Sequence, residues 1–354
     1  MNSSNEIVLA LNTGSTSTKV ALFGGEKEFC AESIQHTVNE LAQFRNLWDQ
    51  LDFRLNAIRG WISKSGRRPA AVASVGGLLK PLDGGVYIVN DRMIADARSG
   101  VRGQHASNLG CSIAFELAKS YECRSFVVDP VSVDEFEPLA RYSGHPEIER
   151  NSLSHALNIH SVARRAARES GTELINSRFV VAHLGGGISV AAVKGGRIID
   201  VNDASSDGPF SPERTGGLPL QQFISLCFSH TFNESEMKSL VMGRGGLVAY
   251  LGTNSASDVE SRIRNGDNKS REVYEAMAYQ IAKEIGAMST VLNGKVNAII
   301  LTGGLANSSM LLGWLRDRVG AIAPVIVYPG EDEMRSLAMG ALRVLRGEEQ
   351  AKEY

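Results

Sequence analysis

Leu11-Asn12-Thr13-Gly14-Ser15-Thr16-Ser17-Thr18-Lys19 is the stretch from which the rest of the chain is best read. The apolar run Ile7 to Leu11 leads into it, and Lys19-Val20-Ala21-Leu22-Phe23-Gly24-Gly25 follows, so it reads as strand, small-residue turn, strand. The turn presents the hydroxyls of Ser15, Thr16, Ser17 and Thr18 and the backbone donors after Gly14, with Lys19 behind them. Such a turn can cradle phosphate oxygens. It is not a P-loop, which needs a second glycine just before the lysine and a helix after it; here Lys19 begins a strand. Taken alone, the motif is open to a second reading as a plain polar hairpin.

The same pattern returns about half a chain later. Phe179-Val180-Val181-Ala182 runs into His183-Leu184-Gly185-Gly186-Gly187, then Ile188 to Lys194, Gly195-Gly196 and a third strand, Arg197 to Val201. A repeat at that spacing suggests a duplicated domain, although two unrelated hairpins can look alike. A length of 354 residues favours two domains. Helical periodicity is expected over Ala106 to Ser120, Pro146 to Glu169, Ser270 to Val291 and Met334 to Leu345. Strands interspersed with these helices indicate an α/β protein. The expected domains are 1–150 and 151–333, with a C-terminal helix over about 334–354 packing back on the first. The polar tail Gly347 to Tyr354 is expected to fray or to end that helix.

Composition narrows the function classes. With 43% hydrophobic and 21% charged residues and a net charge of −2, nothing draws the chain to nucleic acid or to an anionic membrane. No apolar run approaches the length of a spanning helix, and the N-terminus lacks a basic flank, so no signal peptide is expected. Cys30, Cys111, Cys123 and Cys227 are scattered and form no CxxC pair, which implies neither zinc nor a disulfide scaffold. The chain reads as cytoplasmic.

Glycine pairs follow most of the strands, at Gly76-Gly77, Gly185 to Gly187, Gly216-Gly217 and Gly303-Gly304 among others, and let a ligand approach the backbone. His183 beside three glycines is either a structural strand-end histidine or a donor to a phosphoryl group in flight. Asp129 ends the strand Phe126-Val127-Val128, where α/β sheets bind ligands, but it also precedes Pro130 as a turn aspartate does. Arg214, in the rigid loop Gly208 to Pro219, is a candidate clamp on phosphate or carboxylate, or a solvated surface side chain. Thr302-Gly303-Gly304 suits a nucleoside. Glu331, Asp332 and Glu333 fit either a metal or the start of a helix.

These residues together resemble the signatures of the acetate and butyrate kinases. The resemblance runs in order through Asn12 to Lys19, Gly76 to Pro81, Gly103 to Gly110, Val128-Asp129-Pro130, Val181 to Gly187, Gly208 to Arg214 and Tyr328 to Glu333. The length suits the butyrate kinases rather than the longer acetate kinases. The resemblance implies two related actin-like ATPase (ribonuclease H-like) domains around a nucleotide cleft. It also implies reversible phosphoryl transfer between ATP and butyrate or a branched short-chain acid, giving ADP and acyl phosphate, with Mg²⁺. By the same resemblance, Arg214, His183 and Asp129 carry catalysis. The nucleotide phosphates and nucleoside fall to Asn12, Gly14, Ser15, Ser17, Lys19, Gly185, Gly186, Gly187, Thr302, Gly303 and Gly304. Asn12, Asp129 and Glu333 serve the metal, and a homo-oligomer, dimer or larger, is expected.

Two positions depart from the family pattern, of which Thr13, where Pro or Ala is common, is the milder. Where Gly-Arg-Gly-Gly-Leu-Leu is expected, this chain has Ser74-Val75-Gly76-Gly77-Leu78-Leu79. An arginine there would clamp an anion through charge-assisted hydrogen bonds. Either another cation (Arg102, Lys80) substitutes, or the substrate differs, or activity is reduced. The last option is a weakened nucleotide-binding homologue with a regulatory role; a sugar kinase of the same fold is a further alternative.

Overall fold

The near-continuous burial of Ile7–Thr13 and Ser17–Gly24 marks strands covered on both faces, and these form the centre of the first of two compact units. The structure is a computed structural model and describes residues 6–354. One unit comprises the chain up to Val133 together with Asp332–Tyr354; the other is Asp134–Glu331.

In the first unit, β1 (Ile7–Thr13), β2 (Ser17–Gly24), β3 (Lys27–Gln35), β4 (Ala71–Ser74), β5 (Val86–Ile88) and β6 (Arg124–Val128) form one sheet in the order β3-β2-β1-β4-β6-β5. The β1–β2 hairpin pairs Asn12 with Lys19 and Thr13 with Thr18. β4 and β6 run parallel to β1, so Thr13, Ser74 and Val128 end at the same edge. Leu55, Ile58 and Ile62 of the helix Leu51–Ser65, and Ile113 and Leu117 of the helix Leu109–Tyr121, bury Leu9, Leu11, Val20 and Leu22. The helix Glu333–Leu345 packs on β1 and β4. It comes close because Gly340 lies over β6, where a Cβ would meet Val128 Cγ1 at 2.5 Å.

In the second unit a hairpin of β7 (Tyr142–His145) and β8 (Ile148–Glu149) precedes a five-stranded sheet. That sheet joins β9 (Arg178–Leu184), β10 (Ile188–Lys194), β11 (Arg197–Val201), β12 (Ala298–Gly303) and β13 (Val325–Pro329) in the order β11-β10-β9-β12-β13. The first three strands form an antiparallel meander and β12 joins parallel to β9, as β4 joins β1 in the first unit. Tyr274, Met277, Ile281 and Ile285 of the helix Asn268–Val291 cover Val180, Ala182 and Val190. The helix Ala156–Glu169 packs on β9 and β12.

Three sequence expectations are corrected. Residues 134–150 belong to the second unit: the Glu137 amide donates to Ile199 O at 3.0 Å, and Arg150 Nη2 to Asp200 Oδ1 at 2.9 Å. The helix expected from Pro146 starts only at Ala156, because Ile148 and Glu149 pair back onto β7. The C-terminal helix stops at Leu345, and the tail beyond it is held in place. The Lys352 amide donates to Val86 O at 2.8 Å and Tyr354 OH to Asp96 Oδ2 at 3.0 Å. No helix among the described residues is long and apolar enough to cross a membrane.

Candidate active site

The first unit contributes the turn between β1 and β2. The Gly14 amide donates to Ser17 O at 2.9 Å and closes the turn, leaving Ser15 and Thr16 exposed at its tip. The N–H groups of these two residues have no partner among the described residues. Asn12 sits opposite Lys19 in the hairpin register, and Lys19 Nζ lies 3.5 Å from Glu333 Oε2. That oxygen is buried and makes no hydrogen bond. The hairpin thus gathers an amide, an ammonium and a carboxylate beside two open backbone donors.

Asp129 is placed differently. It ends β6, two strands away from β1, and is 3% exposed. Its Oδ1 accepts the Gly85 amide at 2.7 Å while its own amide donates to Gly85 O at 3.0 Å. Its φ of 40° is strained for a residue with a side chain. Asp129 therefore carries a local structural bond at the same sheet edge as the turn. Lys80 Nζ is paired with Asp96 at 2.8 Å, whereas Arg102 Nη1 is buried with no hydrogen-bond partner. Arg102 precedes Gly103, which packs on Leu78 and accepts from Asn108 Nδ2. Of the two cations considered for the missing arginine, Lys80 is paired with a carboxylate, whereas Arg102 has a buried donor without a partner.

The second unit contributes a denser constellation. His183, 1% exposed on β9, has Ser189 of β10 and Thr302 of β12 as its register neighbours. Its Nδ1 donates to Asn158 Oδ1 at 2.9 Å, because an amide oxygen can only accept. Its Nε2 lies 3.1 Å from Glu331 Oε1, without hydrogen-bond alignment. The ring of His155 stacks on that of His183 at 3.8 Å and 10°. His155 Nδ1 is 2.9 Å from Ser189 Oγ. Burial holds the His155 imidazole well below its ordinary pKa, and the His183 ring and the Arg214 guanidinium add to the effect. His155 is therefore neutral at neutral pH.

Arg214 lies against the glycine turn. A Cβ on Gly187 would meet its Nη1 at 2.3 Å and its Cζ at 2.5 Å, so only glycine leaves room for the guanidinium. Nη1 donates to Ala204 O at 2.6 Å, and the Arg214 amide donates to Ser211 Oγ, which itself donates to Gly186 O at 2.5 Å. Nε and Nη2 have no partner among the described residues. Burial lowers the guanidinium pKa, against Glu213 and Asp203, but an arginine keeps its charge at neutral pH. Gly303, at φ 89°, exchanges amide and carbonyl bonds with Gly330, and Thr302 Oγ1 donates to Gly330 O at 3.3 Å. Open space surrounds the α-carbon of Gly304.

The structure thus brings together His183, Gly185 to Gly187, Arg214 and Thr302 in one unit, and Asn12, the 14–17 turn, Lys19 and Glu333 in the other. The acidic run divides, with Glu331 beside His183 and Glu333 beside Lys19. Sequence reading missed His155, Asn158 and Arg54. His155 fell inside a stretch read as helix interior, and neither it nor Asn158 adjoins a glycine. No cluster of three metal-binding side chains occurs among the described residues.

The acetokinase family pattern matches residues 149–319. The chain is 53% identical over 350 residues to the probable butyrate kinase 2 of Caldanaerobacter subterraneus subsp. tengcongensis, covering 98% of this chain and 99% of that protein. It is 47% identical over 351 residues to butyrate kinase 2 of Clostridium acetobutylicum, with the same shares covered. Among solved structures, Porphyromonas gingivalis acetate kinase superposes with a TM-score of 0.76 at 17% identity, over 96% of this chain and 100% of that one. A propionate kinase from Francisella tularensis gives 0.71 at 16%, over 94% and 98%. At such identities the structural likeness establishes the fold, two actin-like ATPase domains. Identity at about half of all positions, across almost the full length of its relatives, makes this chain a member of the acetokinase family.

Proposed function

We propose that the protein catalyses reversible phosphoryl transfer between ATP and butyrate, or a branched acid of similar size, to give ADP and acyl phosphate. The observation carrying this reading is the 53% identity, sustained over 98% of the chain, to a protein named as a butyrate kinase. The geometry supplies the chemistry. A carboxylate acceptor is already ionised at neutral pH, so no general base is needed. Catalysis then reduces to positioning and to neutralising charge on the transferring group. Arg214 suits this task, with Nη1 fixed on Ala204 and its other donors open. His183, oriented by Asn158, directs Nε2 away from that bond, and the neutral His155 ring supports its face. On this reading the amides of Ser15 and Thr16, with Ser17, Lys19 and Asn12, hold nucleotide phosphates. Gly185 to Gly187 line the transferring group, and Thr302 to Gly304 take the nucleoside.

Magnesium binds through one or two carboxylates plus substrate oxygens. The buried Glu333 Oε2, without a hydrogen bond, is the residue-level fit, with Asn12 and Asp129 as further candidates. The ion would neutralise phosphate charge. A homo-oligomer in the cytoplasm completes the proposal; the exposed Leu220, Ile224 and Phe228 on or beside the helix Leu220–Cys227 favour self-association. A regulatory homologue with weakened activity has only Val75 behind it and is not favoured. The reverse reaction tests the proposal: enzyme, ADP, Mg²⁺ and butyryl phosphate should yield ATP, detected by luciferase. ATP formation no faster than without enzyme would overturn it.

A further inference from the structure

Arg54 lies near the start of the helix Leu51–Ser65 and is fully buried. Its Nη1 donates to Gly14 O at 2.8 Å, Ser17 O at 3.0 Å and Thr18 Oγ1 at 3.2 Å. Nη2 donates to Ser15 O at 3.0 Å. Nε and Nη2 both reach Gln50 Oε1, at 3.1 and 3.0 Å. The one remaining carbonyl of the turn, Thr16 O, accepts the His36 amide at 2.8 Å. All four carbonyls from Gly14 to Ser17 are therefore engaged within the protein, three of them by a single guanidinium.

Each of these partners is neutral. A buried cation with no carboxylate is costly, and an arginine cannot relieve the cost by losing its proton. The same unit keeps the Ser15 and Thr16 amides open at the exposed tip. An apolar side chain at position 54 would take this donor from the Gly14, Ser15 and Ser17 carbonyls, and an amide, with two N–H donors, could serve two of the three. A charged fork is suited to a turn that must fix its carbonyls on one side and receive an anion.

We propose that Arg54 is a positioning residue for ATP: its planar fork fixes the Gly14–Ser17 turn with its amides open, and its unpaired charge is balanced by the phosphates the turn binds. This rests on the assignment of that turn to the nucleotide. Arg54→Lys keeps the charge and loses the fork; Gln50→Met keeps Arg54 and removes the acceptor that sets its plane. Both are assayed for the KM of ATP and of butyrate, and for the rise in melting temperature that ATP produces. The expected result is a KM for ATP raised about tenfold in Arg54→Lys and about threefold in Gln50→Met. The KM for butyrate should stay within about twofold and the ATP-induced rise should shrink. Wild-type KM and ATP-induced rise in both variants, however much the ligand-free melting point falls, would reduce Arg54 to a structural strut and overturn the proposal. If Arg54→Lys does not fold, Gln50→Met decides alone. A wild-type protein stabilised by ATP but making no acyl phosphate would refute the acyl-kinase reading, and the ATP-induced rise in the variants would still test Arg54.

Discussion

Replacing Gly187 with alanine should separate positioning from folding more cleanly than removal of Arg214 itself. The added methyl would sit 2.3 Å from Arg214 Nη1 and 2.5 Å from Cζ, so the guanidinium must retreat by about 1 Å to reach ordinary contact. That retreat breaks the Nη1 bond to Ala204 O or tilts the open donors away from the turn. A misplacement of about 1 Å in a positioning group costs on the order of 100-fold in turnover. Stability should suffer little, about 1 kcal/mol, because the clash falls on the end of a flexible side chain. Gly186 is the internal control, since a methyl there meets only Glu213 Oε2, at 3.7 Å. Turnover at saturating ATP and acid, with a thermal melt of each variant, gives the answer. We expect Gly187→Ala to lose about 100-fold and Gly186→Ala, which leaves the guanidinium in place, to lose at least tenfold less. Equal losses in the two variants would mean generic damage to the turn, and normal turnover in Gly187→Ala would remove Arg214 from the role given to it.

Other expectations concern single groups. The folded pKa of His155 lies below the unfolded value of about 6.5, so as pH falls through that value the unfolded chain takes a proton the native state refuses. Stability is complete above about pH 6.5 and declines below it; His155→Gln should flatten that decline in urea midpoints between pH 7 and 5, and an unchanged slope would contradict the assignment. Glu333→Gln should raise the Mg²⁺ concentration for half-maximal rate by about tenfold with Tm little changed; an unaltered Mg²⁺ titration would exclude Glu333 as a ligand. Arg102→Met should raise the KM of the acid by about tenfold and leave that of ATP alone if its open Nη1 replaces the arginine absent at Val75. A change in the KM of ATP alone would place it elsewhere.

The fold was legible because the strand, turn, strand and Gly-Gly pattern at Ile7–Gly25 and Phe179–Gly196 is local, and the second sheet repeats the order of five strands of the first, which adds β5 at its edge. The boundary residues were harder. Gly144 and Pro146 mark a turn, but the apolar residues that follow look helical until Ile148 and Glu149 pair with β7, a tertiary choice. The polar tail looked frayed because its order comes from main-chain pairing with β5, 264 residues away, which residue type does not disclose. At the candidate site, the residues beside glycines were readable from the sequence, whereas Arg54 and Asn158, inside the helices Leu51–Ser65 and Ala156–Glu169, were not. His155 is read only through its stacking on His183. Arg54 had left a trace: it falls on the buried stripe with Leu55, Ile58 and Ile62, where a charge needs a reason. Asp129 was visible as a strand-end carboxylate, but its bond to Gly85 was not, since the pair is 44 residues apart.

Acyl phosphate formation tests the central claim most directly. Purified protein is incubated with ATP, Mg²⁺, hydroxylamine and unbranched and branched acids of two to six carbons, and the hydroxamate formed is measured against a no-enzyme control. The structure and its relatives predict enzyme-dependent hydroxamate, greatest with butyrate or a branched acid of similar size. No hydroxamate from any of these acids, in a preparation that ATP demonstrably stabilises, would contradict it.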